Sequence, residues 1–488
     1  MTSAVDFQIE NPAAPHTSLR RGSLRPTLND VWLTLALGVP TLFVLLSSLN
    51  AIDLAYHLRL GESILASGAI PKTDSFTFTA FGSPWLNQQW LAQVGLHSAH
   101  RFGGFGALIV LRALLVAAIA ATLFGTCRSR GAGARTSALV TMGGCVMALP
   151  YLALRPQLFG AVLFGLVVFL VASRHEGSNF LLAVPLLTVV WANVHGSFVL
   201  APMIVSFALF DDLHTRRSGW RRSGLVLVFT LLATCVTPWG AGVWRYAVAL
   251  ISNDTIRDSI KEWSPPSFAT ASGTLFLIGV VVMIVWLGHR TDRLPALNLA
   301  WIAAFTLLAL TAHRNILWWA IAVPPLLVSR LRHPSSHGAD RGSTMMNVIV
   351  VAVIGSAIVA ALPWWRPPSS LVTGKPSTTL MAEIDESVAP GSNVLVYQPW
   401  ASWIEFDRPD MRVFVDSRIE VFGSIIWRDY YRVIGGEDGW PAILDGYEVD
   451  AVVVTRDETV VIDRLSHDPD WNLAILDDAG AVFTRGDA

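Results

Sequence analysis

Charge is what this sequence has least of. Asp, Glu, Lys and Arg make up 15% of its 488 residues, where an ordinary soluble domain carries about 25%. A soluble chain of this length would need several large cores to hide 53% apolar residues. Lysine is almost missing, with only Lys72, Lys261 and Lys375. The formal net charge of -1 leaves no bulk basic field, which argues against nucleic acid as a partner. Cysteine is equally scarce. Cys127, Cys145 and Cys235 all lie in or beside apolar runs, which excludes a disulfide framework and a CxxC metal site. They read as small hydrophobes among helices. There is no GxGxxG, no P-loop and no repeat at a solenoid or propeller period, so nothing points to nucleotide binding.

What the sequence does have is long apolar runs and a mean hydropathy of +0.50. The runs are roughly 16–22 residues long, near the length that spans a bilayer as a helix. They fall near 31–49, 105–126, 137–153, 157–173, 179–194, 197–213, 223–238, 271–288, 295–312, 316–330 and 345–363. The expected fold class is therefore an α-helical polytopic membrane protein with about eleven spans. Residues 1–30 are polar and Pro/Ser-rich, with Arg20, Arg21 and Arg25 near their end. They read as a disordered cytoplasmic tail before an uncleaved first span, because a signal peptide places its apolar run earlier. With the N-terminus inside, the inner connections hold Arg128, Arg130, Arg135, Arg174, Arg216, Arg217, Arg221, Arg222, Arg290, Arg293, Arg330, Arg332 and Arg341. Inner segments then carry about twice the arginine and lysine of the outer ones, which is the bias that sets orientation. The expectation is N-in and C-out, in the cell membrane.

Two outer loops are long, 50–104 and 239–270. In the first, 53–66 has Leu54, Leu58, Gly61 and Leu65 on one stripe, with Asp53 and His57 together on another face. Residues 85–100 mix aromatic and polar residues as interfacial helices do. From about 376 the pattern changes. Short β-branched runs at 393–397, 412–416 and 450–454 alternate with helical patterns at 424–433 and 457–467, and two final runs form a hairpin. This predicts a small, soluble, extracytoplasmic α/β domain over 376–488 with a largely parallel sheet. The transmembrane domain then covers 31–363.

The unusual polar residues gather at the predicted outer ends of the spans. Asp53, His57, Arg59 and Gln89 lie in the first outer loop, and Glu262 and Trp263 in the second. Tight outer turns add Arg155 and Gln157, His195, and His313 and Arg314. Ionisable groups at membrane depth are costly and mark ligand sites. Arginine grips phosphate oxygens in bidentate fashion, and a carboxylate can take a proton from an attacking hydroxyl. The combination suits chemistry on a phosphate-bearing, lipid-embedded substrate. Each residue also has a plainer reading. Arg155 and Arg314 can snorkel to headgroups, His195 and His313 can cap helix ends, Glu262 can be loop solvation, and Asp53 can be an N-cap. Arg112, inside the second span, is expected to face other helices.

DLAYHLRLGESIL (53–65), IPKTDSFTFT (70–79) and WLNQQWLAQV (85–94) together resemble the first outer loop of GT-C-type glycosyltransferases. They are most similar to the family-39-like, dolichyl-phosphate-mannose-type transferases. RPQ (155–157), NVHGS (193–197), TPWG (237–240) and HRN (313–315) fit the same group, and the layout matches over about 31–330. The resemblance implies a polyprenyl-phosphate sugar donor, an acceptor that is a glycan, lipid or protein outside the cytoplasm, and an acidic first-loop base. Only Asp53 matches that base. Many relatives pair two acidic residues there, whereas this chain has Asp53-Leu54, which argues against a tightly held metal and leaves at most a loosely bound divalent cation. No other cofactor is implied. His57, Arg59, Gln89, Arg155, Gln157, His195, Glu262, His313 and Arg314 would bind substrate, with Asp416 and Arg418 of the VDSR motif on the acceptor side. Two other classes compete: an O-antigen-ligase or polymerase-like glycan enzyme, and a transporter or assembly scaffold. Transporters put their polar groups at the midplane, often in repeated halves, whereas here they sit at span ends.

Overall fold

The computed structural model describes residues 25–174, 179–217, 219–251, 261–289, 294–328 and 344–486. Most of the N-terminal tail, 252–260 of the second long loop, and Arg290, Arg293, Arg330, Arg332 and Arg341 lie outside the described residues. The first half is helical: α1 (Leu28–Leu46), α2 (Leu54–Ser67), α3 (Trp90–Ser129), α4 (Ala134–Ala148), α5 (Pro156–Ala172), α6 (Val184–Ala192), α7 (Leu200–His214) and α8 (Trp220–Ala233). It continues with α9 (Gly242–Ile251), α10 (Ala271–Gly288), α11 (Ala296–Thr311), α12 (Ile316–Ala322), α13 (Pro324–Val328) and α14 (Thr344–Ala360). Each apolar run of the sequence carries a helix. Among the described residues, four helical stretches are long and apolar enough to cross a membrane: Leu28–Leu46, Trp90–Ser129, Gly196–His214 and Ala271–Gly288.

Local sequence explains where the key elements begin and end. A capping box starts α1: Asp30 N–H donates to Thr27 Oγ1 at 3.3 Å, and Thr27 N–H to Asp30 Oδ2 at 2.8 Å. Two arginines finish it. Arg112, buried in α3, donates to Ser47 O at 2.6 Å and Ser48 O at 3.0 Å, and Arg366 donates to Leu45 O at 3.0 Å. These guanidiniums satisfy carbonyls that the helix end would otherwise leave orphaned. As expected, Arg112 therefore faces its neighbours, and it holds the end of α1. Helix α2 then packs tightly on α3 through Gly61, where a Cβ would lie 2.2 Å from Gln93 O. Only glycine allows that approach. Helix α3 breaks at Gly103 and Gly104, which have non-helical backbone. The break separates the first-loop portion of α3 from its apolar portion.

The C-terminal part places α15 (Thr378–Ser387), α16 (Gln398–Asp407), α17 (Ser424–Ile434), α18 (Trp440–Gly446) and α19 (Thr459–Ser466) around a five-stranded sheet. Strands β1 (Asn393–Val396), β2 (Arg412–Val413), β3 (Ala451–Thr455), β4 (Trp471–Leu476) and β5 (Gly480–Arg485) run in the order β2-β1-β3-β5-β4. Strands β2, β1 and β3 are parallel, while β5 is antiparallel to both β3 and β4. The sheet is mixed rather than largely parallel, because the closing β4-β5 hairpin supplies half of its pairings. The run 412–416 forms only a two-residue strand. Past it the chain turns to the first long loop, where Phe78 N–H donates to Val413 O at 3.3 Å and Thr79 Oγ1 to Phe414 O at 2.5 Å.

Candidate active site

A cavity of about 910 Å³ lies where the ends of many helices meet the α/β unit. Its wall includes Asp53, Gln89, Arg155, Gln157, His195, Glu262 and Arg314. Segments far apart in sequence therefore converge, as their common position at span ends suggested. Snorkelling would instead have scattered Arg155 and Arg314 around the rim.

Asp53 precedes α2 in the N-cap position, yet its side chain makes no capping hydrogen bond. Its carboxylate faces two other groups. Arg155 Nε lies 3.0 Å from Oδ1, and His57 Nε2 lies 3.6 Å from Oδ2. His57 is fully buried and off the cavity wall. Its Nδ1 faces Gln93 Nε2 at 3.4 Å, and that amide is held in turn by a reciprocal pair with Asn87 at 2.7 and 2.8 Å. With Nδ1 accepting, the imidazole proton sits on Nε2, toward Asp53. Burial alone would raise the Asp53 carboxyl. Arg155 first, and His57 next, overcome that and hold it below the usual carboxylate range.

Arg155 reaches the cavity because Pro156 starts α5 directly after it, leaving Arg155 extended. Its Nη1 donates to both Glu262 oxygens, at 2.9 and 3.1 Å. One guanidinium thus bridges two carboxylates. Arg314 lies beside this group with its guanidinium 4.6 Å from the centre of the Trp263 ring. Lys261 adds a third cation to the wall. His195 begins the 3₁₀ turn Gly196–Val199, where its Nδ1 accepts from Ser197 N–H at 3.1 Å. Burial, reinforced by Arg314, pushes its pKa down to about 3, so the ring is neutral. His313 is off the wall, and its Nε2 lies 3.5 Å from Thr270 Oγ1.

Arg59, Asp416 and Arg418 are taken out of the substrate-facing set. Arg59 donates to Glu405 O at 2.8 Å and Pro409 O at 2.9 Å and lies over Phe76, so it holds the α/β unit to α2. Asp416 and Arg418 are buried in an ion-pair group that also contains Asp74. Arg418 Nη2 meets Asp74 Oδ1 at 2.5 Å, and its Nε meets Asp416 Oδ2 at 2.7 Å. VDSR is therefore a joint between the first long loop and the α/β unit. Substituting Arg418→Leu removes the cation shared by two buried carboxylates, and breaking such a buried pair typically costs about 3–5 kcal/mol. A large fall in melting temperature is expected, partly recovered when Asp74→Asn and Asp416→Asn are added. Unchanged melting of the single variant would contradict this role.

The sequence reading missed the residues that the α/β unit contributes to the cavity: Gln398, Ser417, Glu420, Trp427 and Tyr431. It also missed Tyr56, Gln88, Tyr246 and Trp318. The pattern of span ends could have flagged Gln88. Nothing local marks the others.

Among the described residues, the wall carries no ready set of divalent-cation ligands. Asp53 and Glu262 share Arg155, and no group of three His, Cys, Asp or Glu side chains converges among the described residues.

In its overall arrangement the chain has a GT-C-type fold, shared with two solved structures. The chain is similar to the oligosaccharyltransferase AglB from Archaeoglobus fulgidus, solved in complex with an inhibitory peptide and a dolichol-phosphate. The TM-score is 0.54 at 11% identity, over 88% of this chain and 69% of that one. It is also similar to ArnT from Cupriavidus metallidurans in the apo state, with TM-score 0.51, 14% identity, and 93% and 97% of the two chains covered. At such identities the fold is what is shared. No family model matches the chain, and no curated protein matches its sequence.

Proposed function

We propose that this protein is an inverting membrane glycosyltransferase that moves a sugar from a polyprenyl-phosphate donor to an acceptor outside the cytoplasm. The carrying observation is the Asp53 carboxylate, on the wall of the cavity, uncapped, and held by Arg155 and His57. The fold shared with AglB and ArnT supports the class of chemistry, and the dolichol-phosphate held by AglB supports the type of lipid.

On this reading Asp53 takes the proton of an acceptor hydroxyl as its oxygen attacks the anomeric carbon. The bond from that carbon to the donor phosphate breaks, and the electron pair leaves with the polyprenyl phosphate. Negative charge grows on the phosphate, where Arg155, Arg314 and Lys261 stand to stabilise it. An incoming phosphate competes with Asp53 for Arg155. It also adds a like charge nearby, and both effects raise the proton affinity of Asp53 as the donor arrives. Glu262 positions Arg155, and neutral His195, Gln89 and Gln157 orient sugar or acceptor.

The proposed topology has about eleven spans, the N-terminus in the cytoplasm, and the cavity and α/β unit outside. Polar groups at the bundle end, rather than at its midplane, disfavour a transporter. The test is transfer by the purified chain in liposomes, using polyprenyl-phosphate-linked sugars, together with a cytoplasm-only reporter fused after Ala488. Transfer and a silent reporter are expected. A bright reporter would overturn the orientation, and no transfer from any such donor would overturn the activity.

A further inference from the structure

The cavity is electrically two-sided. Toward the helical bundle its wall holds Arg155, Lys261 and Arg314 with Asp53 and Glu262. Toward the α/β unit it holds Gln398, Ser417, Glu420, Trp427 and Tyr431, with no cation among these described residues. The nearby Arg418 is buried behind this face and neutralised by Asp74 and Asp416. An anionic acceptor would meet Glu420 here with no compensating charge.

We propose that this second face is an acceptor subsite for a neutral sugar, selected by Glu420 and Tyr431. The proposal rests on the glycosyl-transfer reading above and names the acceptor class for it. Glu420 Oε1 accepts from Trp85 Nε1 at 3.3 Å and from Tyr246 OH at 3.4 Å, which fixes the carboxyl on the wall. Burial raises its pKa, and its carboxyl oxygens can accept from a sugar hydroxyl. Gln398 Nε2 donates to Asp416 O and Ser417 Oγ, both at 3.3 Å. Its amide oxygen has no partner among the described residues. Tyr431, 47% exposed, is stacked on Trp427 at 28° with centroids 5.7 Å apart. A partly exposed aromatic ring beside amide, hydroxyl and carboxyl groups, with no cation among them, matches a pyranose, with an apolar C–H face and hydroxyls at its edge. The hydroxyl of a serine or threonine in a peptide would leave the ring face unused.

The test is saturation-transfer NMR on the full chain in lipid nanodiscs, with no donor added. The probes are lactose, maltose and cellobiose, then glucose 6-phosphate, then a Ser/Thr hexapeptide. At least one neutral disaccharide should give a signal, and glucose 6-phosphate should bind more weakly. Tyr431→Ala and Glu420→Gln should each weaken the sugar about five- to tenfold. Tyr431 is half exposed, so its variant should melt like the parent, and Glu420→Gln serves as the independent second variant. Silence from all three disaccharides, tighter binding of glucose 6-phosphate or the peptide, or a sugar signal unmoved by both variants would each overturn the proposal. Binding is read with no donor present, so it is scored independently of transfer. Sugar binding without any transfer by the parent chain would therefore count against the catalytic reading alone, and transfer without sugar binding against this subsite alone.

Discussion

Asp53→Asn should cut sugar transfer by about 10²–10⁴-fold while leaving the melting temperature unchanged. The substitution removes the proton acceptor and keeps the size of the side chain. Asparagine caps helices about as well as aspartate, so a residue that served only as a cap would tolerate it. The structure sharpens the contrast, because Asp53 makes no capping bond to lose. Its contacts are with Arg155 and His57. Purified parent and variant with matched melting, assayed with a polyprenyl-phosphate donor, separate the two roles. Full activity in the variant would pass the base role to Glu262, which shares Arg155 with Asp53.

Arg155→Ala should have the second largest effect, a loss of about 10²–10³-fold, comparable to removing one donor from an oxyanion site. Arg155→Lys should recover little, since an ammonium cannot bridge two carboxylates and a phosphate in the way a planar fork does. The pH dependence gives an independent readout. A base works in its deprotonated form, at pH above its pKa. With Arg155 present, Asp53 lies below the usual carboxylate range, so the acid limb of kcat/KM should also lie there. Without Arg155, the largest influence opposing burial is lost and His57 is the main one left, so the limb should move to higher pH. A limb that stays in place would show that Asp53 is not the group titrating.

Much of the helical part was legible because a bilayer demands apolar runs of a set length, and these runs stand clear of their polar connections. The convergence of Asp53, Arg155, His195, Glu262 and Arg314 was legible for a related reason. Span ends share a depth, and costly polar residues collected there. Which helices are neighbours was not readable, and neither was the difference between a charge that faces a cavity and one that locks a joint. Arg59 and Arg418 show this. Each sits in a polar stretch like Arg155, but their partners, Glu405 O and Asp74, lie more than three hundred residues away. The wall formed by Gln398, Glu420 and Tyr431 was invisible for the same reason. Those residues belong to an ordinary amphipathic domain, and only its docking on the loop 73–85 turns them toward the cavity. The mixed sheet arises from the final hairpin folding back beside β3, a pairing that strand-like runs alone do not specify.

On the proposed function, this cavity holds the phosphate of a lipid-linked sugar against the bundle-side cations. The most direct measurement is a cryo-EM structure of the full chain in nanodiscs with an added polyprenyl phosphate. The expected result is phosphate density within hydrogen-bonding distance of Arg155 or Arg314, with Arg155 drawn away from Asp53. Phosphate bound elsewhere on the bundle, with the Asp53–Arg155–Glu262 group unchanged, would contradict it.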